Sequence, residues 1–364
     1  MKKTAGYGLR SLLAAAAALP LLAPAADAQN VKYIMLFIGD GMQLETEIAA
    51  SRYLTGRDYE LSWHKLPYQS NVAHWDVTTY EKFAGKGSYD PKAIFNVYGY
   101  DVTKGGRLPY PLQRGGFLDS YFLQMPKPYA TDSASAATAW ATGYKTDDGN
   151  LAWLPGDPAD GSLKTIAEIL REKKGFAIGV TSTVPFSHAT PASHVSHNVS
   201  RNNYLAIADE ILFKTKPEVV IGAGHPGWAR NSAKTNGAYI SDATYNLFKS
   251  GAFISQYIFA ERQAGKDGAA ALMAAAEAAA RQGKKLFGLF GGVNGHVESA
   301  EPKHSPGSPE VKNPTIENPM MKDQVLAAIK VLSQDRDGFF AMFEQGDIDW
   351  AAHANDYARM VGTT

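Results

Sequence analysis

Two short stretches in the first half of the chain carry side chains that could do chemistry on an anion. Asp40 lies between two glycines after an apolar run, where a carboxylate can bind a metal ion and other groups can approach closely. Ser133 follows Thr131 and Asp132 at a predicted helix start, where free backbone N–H groups and the positive helix end favour a phosphoryl group. Ser135 is a competing hydroxyl one turn deeper. Simpler interpretations also fit, because Asp and Gly are common in turns and Thr or Asp is a common helix cap.

The other candidates follow two later apolar runs. Arg201 comes after Thr190, and its planar guanidinium suits bidentate binding of a phosphate or a carboxylate, although an ordinary surface arginine fits as well. Glu344 ends an apolar run and is therefore expected at the carboxyl end of a strand. Asp349 and His353 are four residues apart, on one face of a predicted helix, and a carboxylate with an imidazole suits zinc. The same spacing also fits a simple i,i+4 hydrogen-bonded pair.

Alternating strand-like and helix-like segments must position these side chains. The pattern predicts an α/β fold, a three-layer α/β/α sandwich around a mostly parallel sheet, whose ligands gather beyond the carboxyl ends of the strands. The first strand-like run is expected to be buried on both faces. We interpret His194 and His197 as structural. The strand-like runs are 32–38, 176–180, 219–221, 285–290 and 339–343, and the helix-like stretches are 163–174, 204–213, 269–281 and 321–332.

Composition narrows the class of protein. The 364 residues include 36 Lys and Arg against 36 Asp and Glu, and no Cys. Charge balance argues against nucleic-acid binding, which needs a basic surface. Without Cys there is no thiolate nucleophile, so any metal must be held by His, Asp, Glu or hydroxyl groups.

The first residues are typical of an export signal. A basic start, an apolar stretch with two prolines and an A-x-A pattern ending at Ala28 predict a signal peptide over residues 1–28, with cleavage near Ala28. No later segment is apolar enough to span a membrane. We therefore expect a periplasmic or secreted protein whose main domain covers residues 29–364.

Two segments depart from the alternating pattern. Residues 75–129 are rich in aromatic residues, Gly and Pro, and are predicted to form an insertion that is either a lid or subunit contact or an irregular surface excursion. Residues 302–319 are rich in proline and are predicted to be a loop.

The candidate residues together resemble the alkaline phosphatase family of exported metal-dependent phosphomonoesterases. The resemblance rests on IGDGM at 38–42, TDSASAATAW at 131–140, ATP with the later arginine at 189–201, and EQGDID followed by His at 344–353. It implies hydrolysis of small-molecule phosphate monoesters through a covalent phosphoserine, at a site with two Zn²⁺ ions and one Mg²⁺. It also suggests a homodimer.

The resemblance implies a role for each matching residue. Ser133 matches the nucleophile, and Arg201 matches the guanidinium that binds the phosphate. Asp40 matches the carboxylate that bridges one zinc and the magnesium. Thr190 and Glu344 match the other magnesium ligands, Asp349 and His353 match ligands of the other zinc, and His188 and Trp350 match positions behind these ligands.

Two departures from the family pattern affect this interpretation. His188 and Trp350 stand where some members carry Asp and Lys. This difference affects which metal ion the third metal site prefers. The family also needs an Asp-His dipeptide and a further His after the position of His353, and this sequence has neither. We therefore expect a C-terminally incomplete domain with impaired activity. Two other interpretations stay open, namely a related phosphodiesterase or sulfatase and a non-catalytic protein that binds metal or phosphate.

Overall fold

The computed structural model describes residues 31–70, 76–78, 131–228, 239–291 and 296–364. The chain divides into two compact units, Met1–Lys32 and Tyr33–Thr364, and all the described helices and strands belong to the second unit. The predicted signal peptide lies outside the described residues, as does the predicted insertion apart from residues 76–78. Among the helices that are described, none combines the length and apolar character needed to cross a bilayer.

A six-stranded parallel sheet forms the centre of the second unit. Its strands follow the order β1-β8-β2-β3-β5-β4, and every neighbouring pair is parallel. Two short strands, β6 and β7, form a separate antiparallel pair. The strands are β1 (Tyr33–Gly39), β2 (Ala177–Pro185), β3 (Val219–Ala223), β4 (Tyr257–Glu261), β5 (Lys285–Leu289), β6 (Glu301–Pro302), β7 (Val311–Lys312) and β8 (Phe339–Gln345).

Helices cover both faces of the sheet. One face packs against α2 to α6 in a core that includes Phe186, Ile207 and Phe248, and the other packs against α7 and α8 around Leu272 and Leu332. This arrangement is the predicted three-layer sandwich. The helices are α1 (Leu44–Thr55), α2 (Ser133–Thr142), α3 (Ile166–Lys174), α4 (Ala189–Val195), α5 (Tyr204–Asp209), α6 (Asp242–Lys249), α7 (Gly268–Gln282), α8 (Met321–Leu332), α9 (Asp347–His353) and α10 (Tyr357–Thr363). A short 3₁₀ helix spans Ser62–Lys65, and α5 continues into a π-helical turn at Glu210–Thr215.

The long apolar runs predicted most of the sheet, and the structure adds elements that the pattern missed. Strands β2, β3, β5 and β8 and helices α3, α5, α7 and α8 lie at the predicted positions. Strand β4 was missed because only two of its five residues, Tyr257 and Ala260, are buried at the sheet edge. The predicted loop at 302–319 is broken by the pairing of β6 with β7.

The prediction that the first strand is buried on both faces is wrong. Ile34, Leu36 and Ile38 pack into the core, but Tyr33 and Phe37 are 54% and 61% exposed. The physical reason is position. Among the described strands β1 forms one edge of the sheet, and its outward face lies beyond the cover of α7 and α8.

Candidate active site

The register of the strands brings two predicted site residues, Asp40 and Glu344, together. Strand β8 lies between β1 and β2, so Glu344 pairs with Ile38 on one side and with Ser182 on the other. The backbone N–H of Asp40 donates to the carbonyl of Gln345 at 3.2 Å, which extends the ladder by one residue. Asp40 and Glu344 therefore emerge side by side at the carboxyl edge of the sheet, as expected for a ligand site in a parallel sheet.

Ser133 contacts Asp40 directly. Its hydroxyl donates to Asp40 Oδ2 at 2.8 Å, across 93 positions of sequence. Ser133 is the first residue of α2, and Asp132 caps the helix by accepting from the N–H of Ser135. The hydroxyl thus stands at the positive end of a helix beside a carboxylate that can take up its proton.

The competing hydroxyl of Ser135 is already engaged. It is buried, donates to Asp132 Oδ1 at 2.7 Å and lies 2.8 Å from the hydroxyl of Thr131. These bonds make Ser135 a member of the helix cap rather than an accessible group, and they favour Ser133 as the reactive hydroxyl.

Arg201 reaches the same helix start from the segment after α4. Its guanidinium donates to Asp132 Oδ2 at 2.7 Å, and its backbone N–H donates to the carbonyl of Gly149 at 2.8 Å. Burial lowers the pKa of Arg201, but pairing with Asp132 outweighs this effect, so the net pKa is raised. The guanidinium is therefore a fixed positive charge next to Ser133 that leaves several donors free to bind an anion.

The carboxylates at the sheet edge carry more negative charge than the described side chains neutralise. Burial and then the charge of Asp349 raise the pKa of Asp40 to about 6. Burial and then the charge of Asp40 raise the pKa of Glu344 to about 8, although the hydroxyls of Ser182 and Thr190 oppose the change. Mutual repulsion between buried carboxylates is the electrostatic condition that a bound cation relieves.

Two buried oxygens at this point interact only through poor geometry. Thr190 Oγ1, in the first turn of α4, and Glu344 Oε1 have no hydrogen bond of standard geometry among the described residues, although the Thr190 hydroxyl is near enough to lower the pKa of Glu344. Buried oxygens normally make well-formed hydrogen bonds, so a hydroxyl and a carboxylate oxygen without one need a reason. Hydroxyl and carboxylate oxygens suit Mg²⁺, and the predicted set of Asp40, Thr190 and Glu344 fits such an ion chemically.

Asp349 approaches Asp40 because Gly41 lets the two segments meet. Gly41 has a φ of 64°, and a Cβ built there would lie 2.7 Å from Asp349 Cα. Asp349 is the third residue of α9, and its Oδ1 lies 3.4 Å from Nε2 of His353 one turn later. The predicted helical pair is therefore present, with the side chain of His353 80% exposed.

The acidic and histidine side chains of the candidate site do not make a complete set of metal ligands among the described residues. Within the described ranges, no three His, Asp or Glu side chains are gathered closely enough to hold a metal ion by themselves. The assignment of Asp349 and His353 to a zinc site therefore stays a prediction. The predicted magnesium ligands include the hydroxyl of Thr190, which is not one of these side-chain types.

His188 and Trp350 stand behind these groups, in contact with each other. Their rings lie edge to face with centroids 5.7 Å apart, and His188 also stacks on Tyr204 at 5.8 Å. Burial and the charge of Arg201 lower the pKa of His188 to about 3, so its imidazole is neutral. On the far side of Trp350, His296 packs at 4.4 Å.

Sequence reasoning missed several partners of the predicted residues. Ser182 donates to Glu344, and its neighbour Thr183 donates to Gln345 Oε1 at 2.6 Å. Both residues lie just beyond the predicted strand-like run 176–180, so polar residues directly after that run were the available signal. Asp148, near Asp132 and Arg201, carried no signal because acidic residues are common in turns.

Comparison with known proteins gives one family. A family model described as alkaline phosphatase matches residues 119–364. Alkaline phosphatase 3 of Bacillus subtilis (strain 168) is 32% identical over 243 residues, which make up 64% of this chain and 42% of that protein. The alkaline phosphatase of Escherichia coli (strain K12) is 31% identical over 264 residues, 65% of this chain and 52% of that one.

A solved structure shares the fold. The crystal structure of Thermus thermophilus alkaline phosphatase gives a TM-score of 0.53 at 23% identity, covering 95% of this chain and 58% of the other. The chain thus spans about half the length of the relatives it matches. The matched family is metal-dependent, and since its model covers more than half of the chain, the protein belongs to the alkaline phosphatase family.

Proposed function

We propose that the protein hydrolyses phosphate monoesters through a phosphoserine formed on Ser133. The hydrogen bond between Ser133 and Asp40 carries this proposal, because it joins a helix-start hydroxyl to a carboxylate at the edge of the sheet. Arg201 lies at the same helix start through its ion pair with Asp132. A nucleophile, a proton-accepting group and a phosphate-binding cation are the parts that phosphoryl transfer requires.

Each residue has a definable task in the reaction. Arg201 and the N–H groups at the start of α2 bind the phosphoryl oxygens and place phosphorus near Ser133 Oγ. Asp132 orients the guanidinium through its 2.7 Å ion pair. Asp40 orients the Ser133 hydroxyl and takes its proton as Oγ bonds to phosphorus and the bond from phosphorus to the substrate oxygen breaks. That oxygen takes a proton from water and leaves as the alcohol. The resulting hydroxide then bonds to phosphorus, the Oγ–P bond breaks to release phosphate, and Oγ regains the proton held by Asp40.

We infer that three divalent cations complete the site. Asp40, Thr190 and Glu344 would hold magnesium, Asp349 and His353 would take part in one zinc site, and Asp40 in the other. Bound cations supply positive charge that lowers the pKa of the attacking hydroxyl and neutralises charge on the leaving oxygen. Support comes from the buried oxygens of Thr190 and Glu344, which make no hydrogen bond of standard geometry, and from the raised pKa values of Asp40 and Glu344.

Trapping of the covalent intermediate tests the proposal. The chain is incubated with Zn²⁺, Mg²⁺ and p-nitrophenyl phosphate, quenched in acid, digested and analysed by mass spectrometry. Because impaired activity is expected, we expect slow but detectable phosphorylation of the peptide that contains Ser133, and none in the Ser133→Ala variant. The Ser135→Ala variant is the matched control and should still be labelled at Ser133. Nitrophenol release that persists unchanged in Ser133→Ala would refute the proposal.

The choice of substrate separates the remaining interpretations. Faster reaction with the nitrophenyl monoester than with the diester or the sulfate supports a phosphomonoesterase, and the reverse order supports a related esterase. Calorimetric binding of phosphate without any phosphorylation of Ser133 would instead support a non-catalytic binding protein.

We also propose export and dimerisation. Export is supported by the sequence of residues 1–28, and mature protein beginning at Gln29 would verify it. Dimerisation is supported by the family resemblance, and the mass of the purified protein in solution tests it.

A further inference from the structure

A buried ion cluster holds the start of the segment that carries Arg201. The side chain of His197 is 8% exposed, with Nδ1 3.0 Å from Glu210 Oε1 and Nε2 3.3 Å from Glu168 Oε2. The backbone N–H of His197 also donates to Glu210 Oε2 at 3.1 Å. One imidazole therefore joins the segment after α4 to the first turn of α3 and to the π-helical turn after α5.

Arg201 lies four residues beyond this cluster, on a segment that is also held by backbone hydrogen bonds and by the ion pair of Arg201 with Asp132. Asn198 and Leu151 exchange two backbone hydrogen bonds of 2.8 and 2.9 Å, and the N–H of Arg201 donates to Gly149. These bonds fix the middle and the end of the segment, while His197 fixes its beginning. His197 is therefore the anchor at the start of the backbone segment that ends at Arg201.

We propose that His197 is a positioning residue for Arg201, which clamps the segment 197–201 between Glu168 and Glu210. The inference rests on the proposed function only in taking Arg201 as the phosphate-binding group. The position of Arg201 can be measured without any turnover.

The charges around His197 make the clamp depend on pH. The described charged groups that face it are Glu168 on α3 and Glu210 after α5, with Lys214 behind Glu210 at 3.1 Å. Burial lowers the pKa of His197, but the two carboxylates outweigh burial and raise it to about 9. The charged imidazole donates from both nitrogens, whereas the neutral ring donates from one and turns a lone pair towards a carboxylate. The clamp therefore holds at neutral pH and loosens as the pH rises through about 9.

Chemical modification of arginine tests this directly. The full chain is treated briefly with phenylglyoxal at a series of pH values, and modified peptides are quantified by mass spectrometry. The rate at Arg201 is divided by the rate at Arg281, an exposed arginine on α7 that corrects for the pH dependence of the reagent. For the chain without substitutions, we expect a low, constant ratio of the two rates up to about pH 8 and a rise centred near pH 9.

Variants separate positioning from general destabilisation. His197→Asn should give a high ratio at every pH, with no step. Glu210→Gln and Glu168→Gln keep a hydrogen-bonding oxygen but remove one charge, so each should move the step down by about one pH unit or more. Lys214→Ala is the control: it removes an exposed charge behind the clamp and should leave the step at or above its original pH.

The possible outcomes are distinct. The proposal would be overturned if, in the chain without substitutions, the ratio of the rate at Arg201 to the rate at Arg281 stays constant from pH 7.5 to 10. A step that keeps its pH in both glutamine variants would also overturn it, and that test remains if His197→Asn fails to fold. A normal step together with no phosphorylation at Ser133 would leave the clamp intact and refute the phosphatase proposal instead.

Discussion

Several carboxyl groups act on the guanidinium of Arg201, and their balance decides how much positive charge is left for a phosphate. Asp132 pairs with it at 2.7 Å, and Asp40 adds a weaker attraction. Asp148 is exposed but lies near both Asp132 and Arg201. Burial and then the charges of Asp132 and Asp76 raise the pKa of Asp148 to about 6, so Asp148 is charged in neutral and alkaline solution.

Asp148→Asn should therefore tighten phosphate binding above pH 7. The substitution removes a negative charge that competes for Arg201, and an exposed charge pair is worth up to about 1 kcal/mol, or roughly fivefold in affinity. The advantage should vanish near pH 5, where Asp148 is protonated. Calorimetric titration with inorganic phosphate at both pH values measures this, and Asp160→Asn, another exposed carboxylate, should change neither value. Equal affinities at pH 8 would contradict the prediction.

Gly41 offers a second test at the residue scale, since its missing side chain lets Asp349 reach Asp40. Gly41→Ala adds a Cβ that would lie 2.7 Å from the Asp349 backbone, in addition to strain at a φ of 64°. Gly56 is a matched control, because its φ is 73° and no atom lies within 4 Å of its added Cβ. We expect losses in the free energy of unfolding of about 2–3 kcal/mol for Gly41→Ala and about 1 kcal/mol for Gly56→Ala, measured by denaturant titration. Similar losses in both would argue against the close contact.

Away from the site, Glu218 joins a helix to two strands of the sheet. It lies just before β3. Its Oε2 lies 2.6 Å from the guanidinium of Arg171 on α3, and its Oε1 lies 2.6 Å from Nζ of Lys285 on β5. It also accepts from the N–H of Ile178 on β2 at 2.7 Å. Burial raises the pKa of Glu218, but Lys285 and Arg171 outweigh burial and hold the pKa below its ordinary value.

The stability that Glu218 supplies should be lost in acid. Because its pKa is lower when folded, its contribution is present above the unfolded pKa of about 4.3 and disappears as the pH falls below it. Glu218→Gln should cost about 1 kcal/mol at pH 7 and much less at pH 3, by chemical denaturation. Glu172→Gln breaks an exposed pair with Lys164 and should cost under about 0.5 kcal/mol at either pH. A pH-independent cost for Glu218→Gln would show that packing, not charge, holds this junction.

Elements that bury a continuous apolar surface were predictable, and those whose neighbours decide their structure were not. The runs of β2 and β8 are buried along nearly their whole length, so their composition alone identifies them. Strand β4 and helix α6 pack at the sheet edge with mixed sequences, and no local pattern marks them. The convergence of Asp40 with Glu344 depends on strand order, which places the first strand beside the last one of the central sheet. The motifs shared with the family predicted that Asp40 and Glu344 belong to one site. The ion pair of Arg201 with Asp132 and the contacts of His197 could be found only in the structure.

At the scale of the whole molecule, the outer face of β1 is an apolar surface that the described residues leave open. Tyr33, Met35 and Phe37 alternate along the strand and so point to one side, each between 47% and 61% exposed. Met35 and Phe37 line a groove of about 1070 Å³ whose lining also includes Met321 and Val361. Contiguous apolar surface of this kind is unusual on a soluble domain and binds other apolar groups.

We therefore expect the purified chain to bind an apolar fluorescent dye and to associate as its concentration rises. Phe37→Ser removes the most exposed of the three side chains and should lower both the dye fluorescence and the light scattering, because less apolar area remains to be covered. Ile316→Ser is the matched control: Ile316 is 69% exposed but stands in a loop, so its loss should change neither signal. Unchanged dye binding in Phe37→Ser, with the fold intact by circular dichroism, would mean that this face is covered in solution. Loss of both signals would show that the open edge of the sheet, rather than scattered surface residues, governs how the chain behaves in solution.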